Sequence, residues 1–346
     1  MSGGPLRAAL RRQAEACAAL GSPFTARLLE LLAEELSPEE PLGARLFGWP
    51  GDVGGAGASV PLRLAGALHA LVLSGVAPEL AAAYPPRQAG DLREAVRAAL
   101  RDHEGRIDRF LDSPPQTNEV ARSAVLIAAA HRLLARHPLP LRLSELGASA
   151  GLNLSFDAYA LRVGDAHLGP EGATLTLAPD WTGALPARRP LKVAERRGVD
   201  LAPIDISDPA ARLRLRAYVW PDQPERLERL DRALTLPPAT VDRGDAAPWL
   251  AARLADPRPG TLHLVYHTVA WQYFPPATQA ACAAALGDAG ARATPDAPLA
   301  RLAMEGDGRP DGAADGAALA LTVWPGGETM ALGRADFHGR WLRWAG

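Results

Sequence analysis

Four stretches of this chain place residues able to do chemistry at the ends of apolar runs. In Leu141-Arg-Leu-Ser-Glu-Leu-Gly-Ala-Ser-Ala-Gly-Leu-Asn-Leu154, Glu145 closes a buried-strand pattern and Gly147, Ala148, Ser149 and Gly151 make a bend before Asn153. Backbone amides at such a bend can cradle a polar or anionic group, and Ser149 or Asn153 can add side-chain hydrogen bonds. The bend also reads Gly-x-Ser-x-Gly, which opens a second chemistry, a serine nucleophile with Asp245 and His267 or His338 downstream. The second and third stretches end on Asp200, followed by Leu201, and on Asp245, followed by Ala246. The fourth ends on Tyr266 and His267, and an imidazole with an ordinary pKa of about 6.5 suits a general base.

Two further groups could complete a site. Residues 116–122 pack an amide, a hydroxyl, a second amide, a carboxylate and a guanidinium into seven positions, among them Gln116, Asn118, Glu119 and Arg122. They read either as a helix cap or as one wall of a site. Trp271 and Tyr273 follow His267 and could pack on a substrate, the alternative being ordinary packing.

The elements that must hold these residues follow from periodicity. Residues 6–36 carry apolar positions at helical spacing, broken by Gly21-Ser-Pro23, with Ser22 placed to cap the second helix. Residues 61–73 form an almost wholly apolar helix expected at the centre of a bundle, where His69 reads as a hydrogen-bonded core histidine. The glycine-rich loop at 49–59 has no strand before it and reads as a linker. Another helix spans 91–111, and residues 112–115 end an all-α domain at 1–115.

From 116 to 346 strands alternate with helices. Strand patterns cover 191–200, 239–245, 261–269, 299–304, 317–324 and 329–335; helices cover 209–236, 248–254 and 276–286. The region 158–190, with hairpin language around Gly164-Asp165, reads as an insertion over the ligand edge of the sheet. The fold class is therefore α/β, a mostly parallel sheet with an antiparallel edge strand. In such open sheets ligands bind outside the carboxyl ends of the strands, where the four chemical stretches fall.

Bulk properties narrow the partners. The 346 residues, 48% hydrophobic and 22% charged with a net charge of -2, belong to a globular protein without a basic footprint for nucleic acid or an anionic membrane. Almost all positive charge is arginine, Lys192 being the single lysine. Two distant cysteines, Cys17 and Cys282, offer neither a disulfide framework nor metal spacing. No leader pattern opens the chain and no apolar run is long enough to span a bilayer, so the expectation is a cytoplasmic protein with a small-molecule substrate.

The order of acids and glycines over residues 141–346 resembles the class I S-adenosylmethionine-dependent methyltransferases, which have a Rossmann-like fold. The resemblance implies that Glu145 with Gly147, Ala148, Ser149, Gly151 and Asn153 holds the methionine end of S-adenosylmethionine. It further implies that Asp200 and Leu201 take the ribose, that Asp245 and Ala246 contact the adenine, and that Tyr266 and His267 face the substrate. Ser149 stands where that family's loop has its middle glycine, and Asp200 follows Gly151 well beyond the roughly 20 residues of a compact nucleotide-binding unit. A nicotinamide enzyme would want Gly-x-Gly-x-x-Gly, which residues 147–152 lack. A binding module without turnover on the same fold remains the non-enzymatic alternative. The whole chain, with Pro-Gln-Thr-Asn-Glu and Tyr-Val-Trp-Pro-Asp-Gln among its phrases, also resembles a bacterial family called domain of unknown function 2332.

Overall fold

A computed structural model describes residues 4–308 and 315–346; residues 1–3, on which the reading of the N-terminus partly rests, lie outside them. The chain forms two compact units, residues 1–117 with 207–228, and 118–206 with 229–346.

The first unit is helical. Ser22 caps the helix Pro23–Glu35 by accepting from the Thr25 amide at 3.4 Å, and Pro23 sits at its first turn, where a missing N–H costs nothing. The apolar helix Val60–Leu73 packs against Pro5–Ala19, Pro23–Glu35, Pro78–Ala83, Glu104–Leu111 and Pro209–Ala217, so it is buried on nearly every side. His69 lies in it, 4% exposed, with Nδ1 3.1 Å from the Ala217 carbonyl. A Cβ at Gly66 would meet the Tyr218 ring at 2.7 Å, and Asp222 accepts from Ser22 Oγ and from the Phe24 amide. Residues 207–228 thus join the N-terminal helices, whereas the sequence reading kept everything after 116 in one domain. The glycine there is needed for the close approach of that returning segment.

Among the described residues the second unit has twelve strands: β1 (Leu141–Leu146), β2 (Tyr159–Val163), β3 (Ala166–Leu168), β4 (Leu175–Leu177), β5 (Asp180–Thr182), β6 (Val193–Asp200), β7 (Val241–Arg243), β8 (Leu262–Thr268), β9 (Leu299–Glu305), β10 (Ala317–Trp324), β11 (Glu328–Ala335) and β12 (Trp341–Trp344). Nine form one sheet in the order β5-β12-β11-β10-β9-β8-β1-β6-β7. From β7 to β9 every pairing is parallel. The far half is antiparallel, β9 to β10 to β11 to β12, closed by β5, parallel to β12. The result is a mixed α/β sheet, mostly parallel, in which a meander replaces the expected single antiparallel edge strand. A tight turn makes the extra strand: Asp336 accepts from the His338 and Arg340 amides, reversing the chain between β11 and β12.

The segment 158–190 divides in two. Its β2–β3 hairpin turns at Gly164-Asp165 and forms a small sheet with β4, while β5 leaves to cap the far edge of the large sheet. The segment expected as a single cover over the ligand edge is thus split between a separate small sheet and one strand of the large sheet. The helix Ser123–Leu134 packs on β2, which explains why all of it except Arg132 is buried.

Alternation along the strands sorts side chains to two faces. Leu146, Val199 and Val265 pack under the helices Ala246–Leu254 and Pro276–Arg292. Glu145, one residue from Leu146, belongs to the opposite face, as does Tyr266, paired with it in register.

Candidate functional site

Strand order reverses direction at β1: the chain moves outward through β6 and β7, then returns to β8 and β9. The crevice at the carboxyl ends of β1, β6 and β8 is where such sheets bind ligands.

At its centre lies Glu145, 2% exposed. Burial pushes its carboxyl well above the usual range, and Asp200 adds to this, while Tyr266 and Arg122 oppose it. A neutral Glu145 makes sense of its neighbours. Tyr266 Oη lies 3.4 Å from Glu145 Oε2 and 3.2 Å from the Asn153 carbonyl. The phenol has one proton, which it shares as donor between the Asn153 carbonyl and Glu145 Oε2.

The bend after β1 has φ of +70° at Gly147, +52° at Ser149 and +72° at Gly151. A Cβ at Gly147 would meet Ala270 Cβ at 2.6 Å and one at Gly151 would meet Val241 Cγ2 at 2.8 Å, so both glycines are required by packing as well as by backbone conformation. Most amides of the bend donate within the chain. Gly147 and Ala148 donate to Val199 O, Gly151 to Ala148 O, Ser149 to Asp200 Oδ2 at 2.8 Å, and Leu152 to Asn118 Oδ1 at 2.8 Å. No α-helix follows; Leu152–Ala158 is a 3₁₀ segment interrupted at Ser155, which lacks the aligned dipoles of a helix N-terminus. The Ser149 hydroxyl is 7% exposed at residue level and has no hydrogen-bond partner among the described residues.

Asp200 ends β6 on the same face as Glu145. Its Oδ1 accepts from the Ala202 amide at 2.9 Å and its Oδ2 from the Ser149 amide at 2.8 Å. Leu201 beside it is 68% exposed.

The segment before the helix Ser123–Leu134 joins this cluster. Besides Asn118 on the bend, Asn153 Nδ2 donates to Glu119 O at 3.4 Å and Ser123 Oγ to Asn153 Oδ1 at 2.7 Å. Glu119 itself caps, accepting from the Ala121 amide at 3.2 Å. Arg122 donates to Thr268 O at the end of β8 and to Phe337 O, at 2.8 and 2.9 Å. The stretch thus caps the helix through Glu119 and is hydrogen-bonded to the bend and to the end of β8. Gln116 belongs to the first unit, whose N-terminal segment runs to Thr117.

His267 and Tyr266, neighbours in β8, point to opposite faces. His267 is fully buried on the other side, with Nδ1 2.7 Å from Glu305 Oε1 and Nε2 receiving Arg301 Nη2 at 3.0 Å. Burial lowers its pKa, against Glu305, which raises it; the ring is neutral with its proton on Nδ1. Trp271 stacks on it with centroids 4.8 Å apart, and Arg301 lies 4.4 Å over the Trp271 ring. Glu305 also accepts from the Ala270 and Trp271 amides. Between them Val269 has φ +54°, a left-handed conformation that strains a β-branched residue. Sequence reasoning missed Arg301 and Glu305, because their signal is only that two charges alternate into an otherwise apolar β9. Tyr273 is 68% exposed.

Asp245 caps the helix Ala246–Leu254 through the Ala247 amide at 2.8 Å and receives Thr278 Oγ1 at 3.1 Å, while Ala246 is buried in the helix layer. Gly244, the residue before Asp245, donates its amide to the Asp200 carbonyl at 3.0 Å. Among the described residues no group of three His, Cys, Asp or Glu could hold a metal ion, and no helix is long and apolar enough to cross a membrane.

Residues 7–344 match the family described as "Uncharacterized protein conserved in bacteria (DUF2332)". No curated protein and no solved structure matches the chain. The chain belongs to that bacterial family.

Proposed function

We propose that this member of the DUF2332 family binds S-adenosylmethionine at the carboxyl edge of β1 and β6 and acts as a methyltransferase on a small acceptor. The observation that carries the reading is the pair Glu145 and Asp200, on one face at the ends of adjacent strands, at the point where strand order reverses. The residues suit the adenosyl end. Asp200, whose carboxylate receives the Ser149 and Ala202 amides at the end of β6, presents a carboxylate to the ribose hydroxyls, exposed Leu201 offers an apolar surface to the base, and the Ser149 hydroxyl, without a hydrogen-bond partner among the described residues, can bond the ligand. The amino-acid end cannot rely on the bend's amides alone, since most already donate within the chain.

When bound, the cofactor's sulfonium supplies the methyl group. The chain's own part is alignment and exclusion of water, for which Tyr266 and Glu145 form a buried floor. His267 is not assigned the role of base, because Arg301 occupies its lone pair. The same fact favours a second reading, ligand binding without turnover. A serine hydrolase has less support, as no imidazole accepts from the Ser149 hydroxyl.

Calorimetry on the full chain tests the proposal. S-adenosylmethionine and S-adenosylhomocysteine should bind saturably with dissociation constants on the order of 1–100 μM, and Asp200→Asn should weaken both roughly tenfold or more. Failure of both to bind at about 1 mM overturns the reading.

A further inference from the structure

Away from the carboxyl-edge site, the second unit contains a cleft of about 480 Å³ between the helix Ser123–Leu134 and the ends of the segment around the small sheet. That volume lies within the range of small-ligand sites, roughly 300–1,000 Å³. Its floor is apolar and aromatic: Ile127, Phe156 and Tyr159 are all essentially inaccessible. Its rim carries two exposed arginines, Arg188 and Arg189. The one carboxylate in the lining, Asp157, is already matched by Arg196, whose Nη1 and Nη2 meet its two oxygens at 2.8 Å each. The rim therefore keeps a net positive charge.

His131 contributes a third feature. It lines the cleft, is 2% exposed, and its Nδ1 accepts from the Arg189 backbone amide at 3.0 Å. With Nδ1 an acceptor, the ring proton resides on Nε2, and Nε2 has no partner among the described residues. Burial, then the nearby Arg188 charge, lowers the His131 pKa to about 4, so the ring remains a neutral donor at physiological pH. A buried N–H without an acceptor is costly, and an oxygen of an incoming ligand would satisfy it.

We infer that this cleft is a second binding site, for a small organic anion with a planar or compact apolar body and a carboxylate or phosphate head. The apolar body lies on Phe156 and Tyr159, and the head group meets Arg188 and Arg189, whose planar forks suit both kinds of oxyanion. The Tyr159 hydroxyl is not free to share in this, since it donates to the Leu152 carbonyl at 2.8 Å. Phe156 also meets Tyr266 edge-on at 6.4 Å, so one ring serves as wall to this cleft and to the carboxyl-edge site.

The inference does not depend on S-adenosylmethionine binding, and its test keeps the two apart. Benzoate and phenyl phosphate are titrated by calorimetry into the full chain, into Arg188→Gln/Arg189→Gln, and alongside neutral benzamide. Both substituted arginines are exposed, and the Arg189 backbone amide that holds His131 is retained, so folding should not change. The expected result is saturable binding of at least one anion with a dissociation constant below about 1 mM, a loss of roughly tenfold or more in the double variant, and benzamide weaker by a similar factor. S-adenosylmethionine binding should be the same in both proteins. No saturation by either anion up to about 10 mM, full affinity in the double variant, or equal affinity for benzamide overturns the site.

Discussion

Glu145 shows most directly what burial does to a single group here. Its folded pKa is raised chiefly by desolvation, so between the ordinary value of 4.5 and the raised one the folded state holds a proton that the unfolded state has released. Stability falls as pH rises through that window, by roughly 1.4 kcal/mol per pH unit. Glu145→Gln mimics the neutral acid. It should raise the melting temperature at pH 7 to 8 and make little difference near pH 4.5, in calorimetric or fluorescence melts of both proteins. An equal effect at both pH values would show that Glu145 is ionised in the fold. The neutral acid has a functional corollary: it can donate a hydrogen bond into the crevice but cannot form an ion pair with an ammonium group.

At the scale of elements, the bend after β1 and the strand β8 are the informative pieces. The glycines of the bend look from sequence like a ligand cradle, yet each lies against another side chain of the same unit, Ala270 for Gly147 and Val241 for Gly151. Gly147→Ala adds a Cβ both at positive φ and 2.6 Å from Ala270 Cβ, and should destabilise by about 2 kcal/mol or more in urea unfolding. Gly164→Ala, also at positive φ but with no atom within 4 Å, should cost only about 1 kcal/mol. Similar losses at the two positions would show that conformation alone, without packing, requires Gly147. In β8 the period of two sends Tyr266 toward Glu145 and His267 toward Arg301 and Glu305. Adjacent residues of one strand thus serve different faces, and the Glu305–His267–Arg301 network holds the strained turn at Val269 and the loop beyond it.

Across the whole molecule, four buried histidines share one electrostatic habit. Burial lowers the pKa of His69 and His131 to about 4, that of His263 well below its ordinary value, and that of His267 below it too. Each is neutral in the fold, whereas the unfolded chain takes up protons below about 6.5. Their contribution is therefore intact above that pH and lost as pH falls toward the folded values, by roughly 1.4 kcal/mol per unit for each group. Melting temperature should drop between pH 7 and pH 5, the four histidines outweighing Glu145, whose raised pKa acts in the opposite sense. A flat profile over that range would mean that these imidazoles take up protons in the fold as readily as in the unfolded chain. Because His69 lies in the first unit and the other three in the second, acid should weaken both.

Much of the architecture was legible in local pattern. Helical spacing marked the N-terminal helices and the cap at Ser22, alternating or continuous apolar runs marked β1, β6, β8, β9, β10 and β11, and a carboxylate or imidazole at a strand end marked Glu145, Asp200 and His267. Those signals are local: they depend on residues a few positions apart, whose period decides which face is buried. The union of residues 207–228 with the N-terminal helices, the pairing of β5 with β12, and the capture of the Ser149 amide by Asp200 were decided only by tertiary structure. Each joins groups distant along the chain, and such contacts are selected by shape and by the need to satisfy buried polar groups, which no periodicity in the sequence encodes.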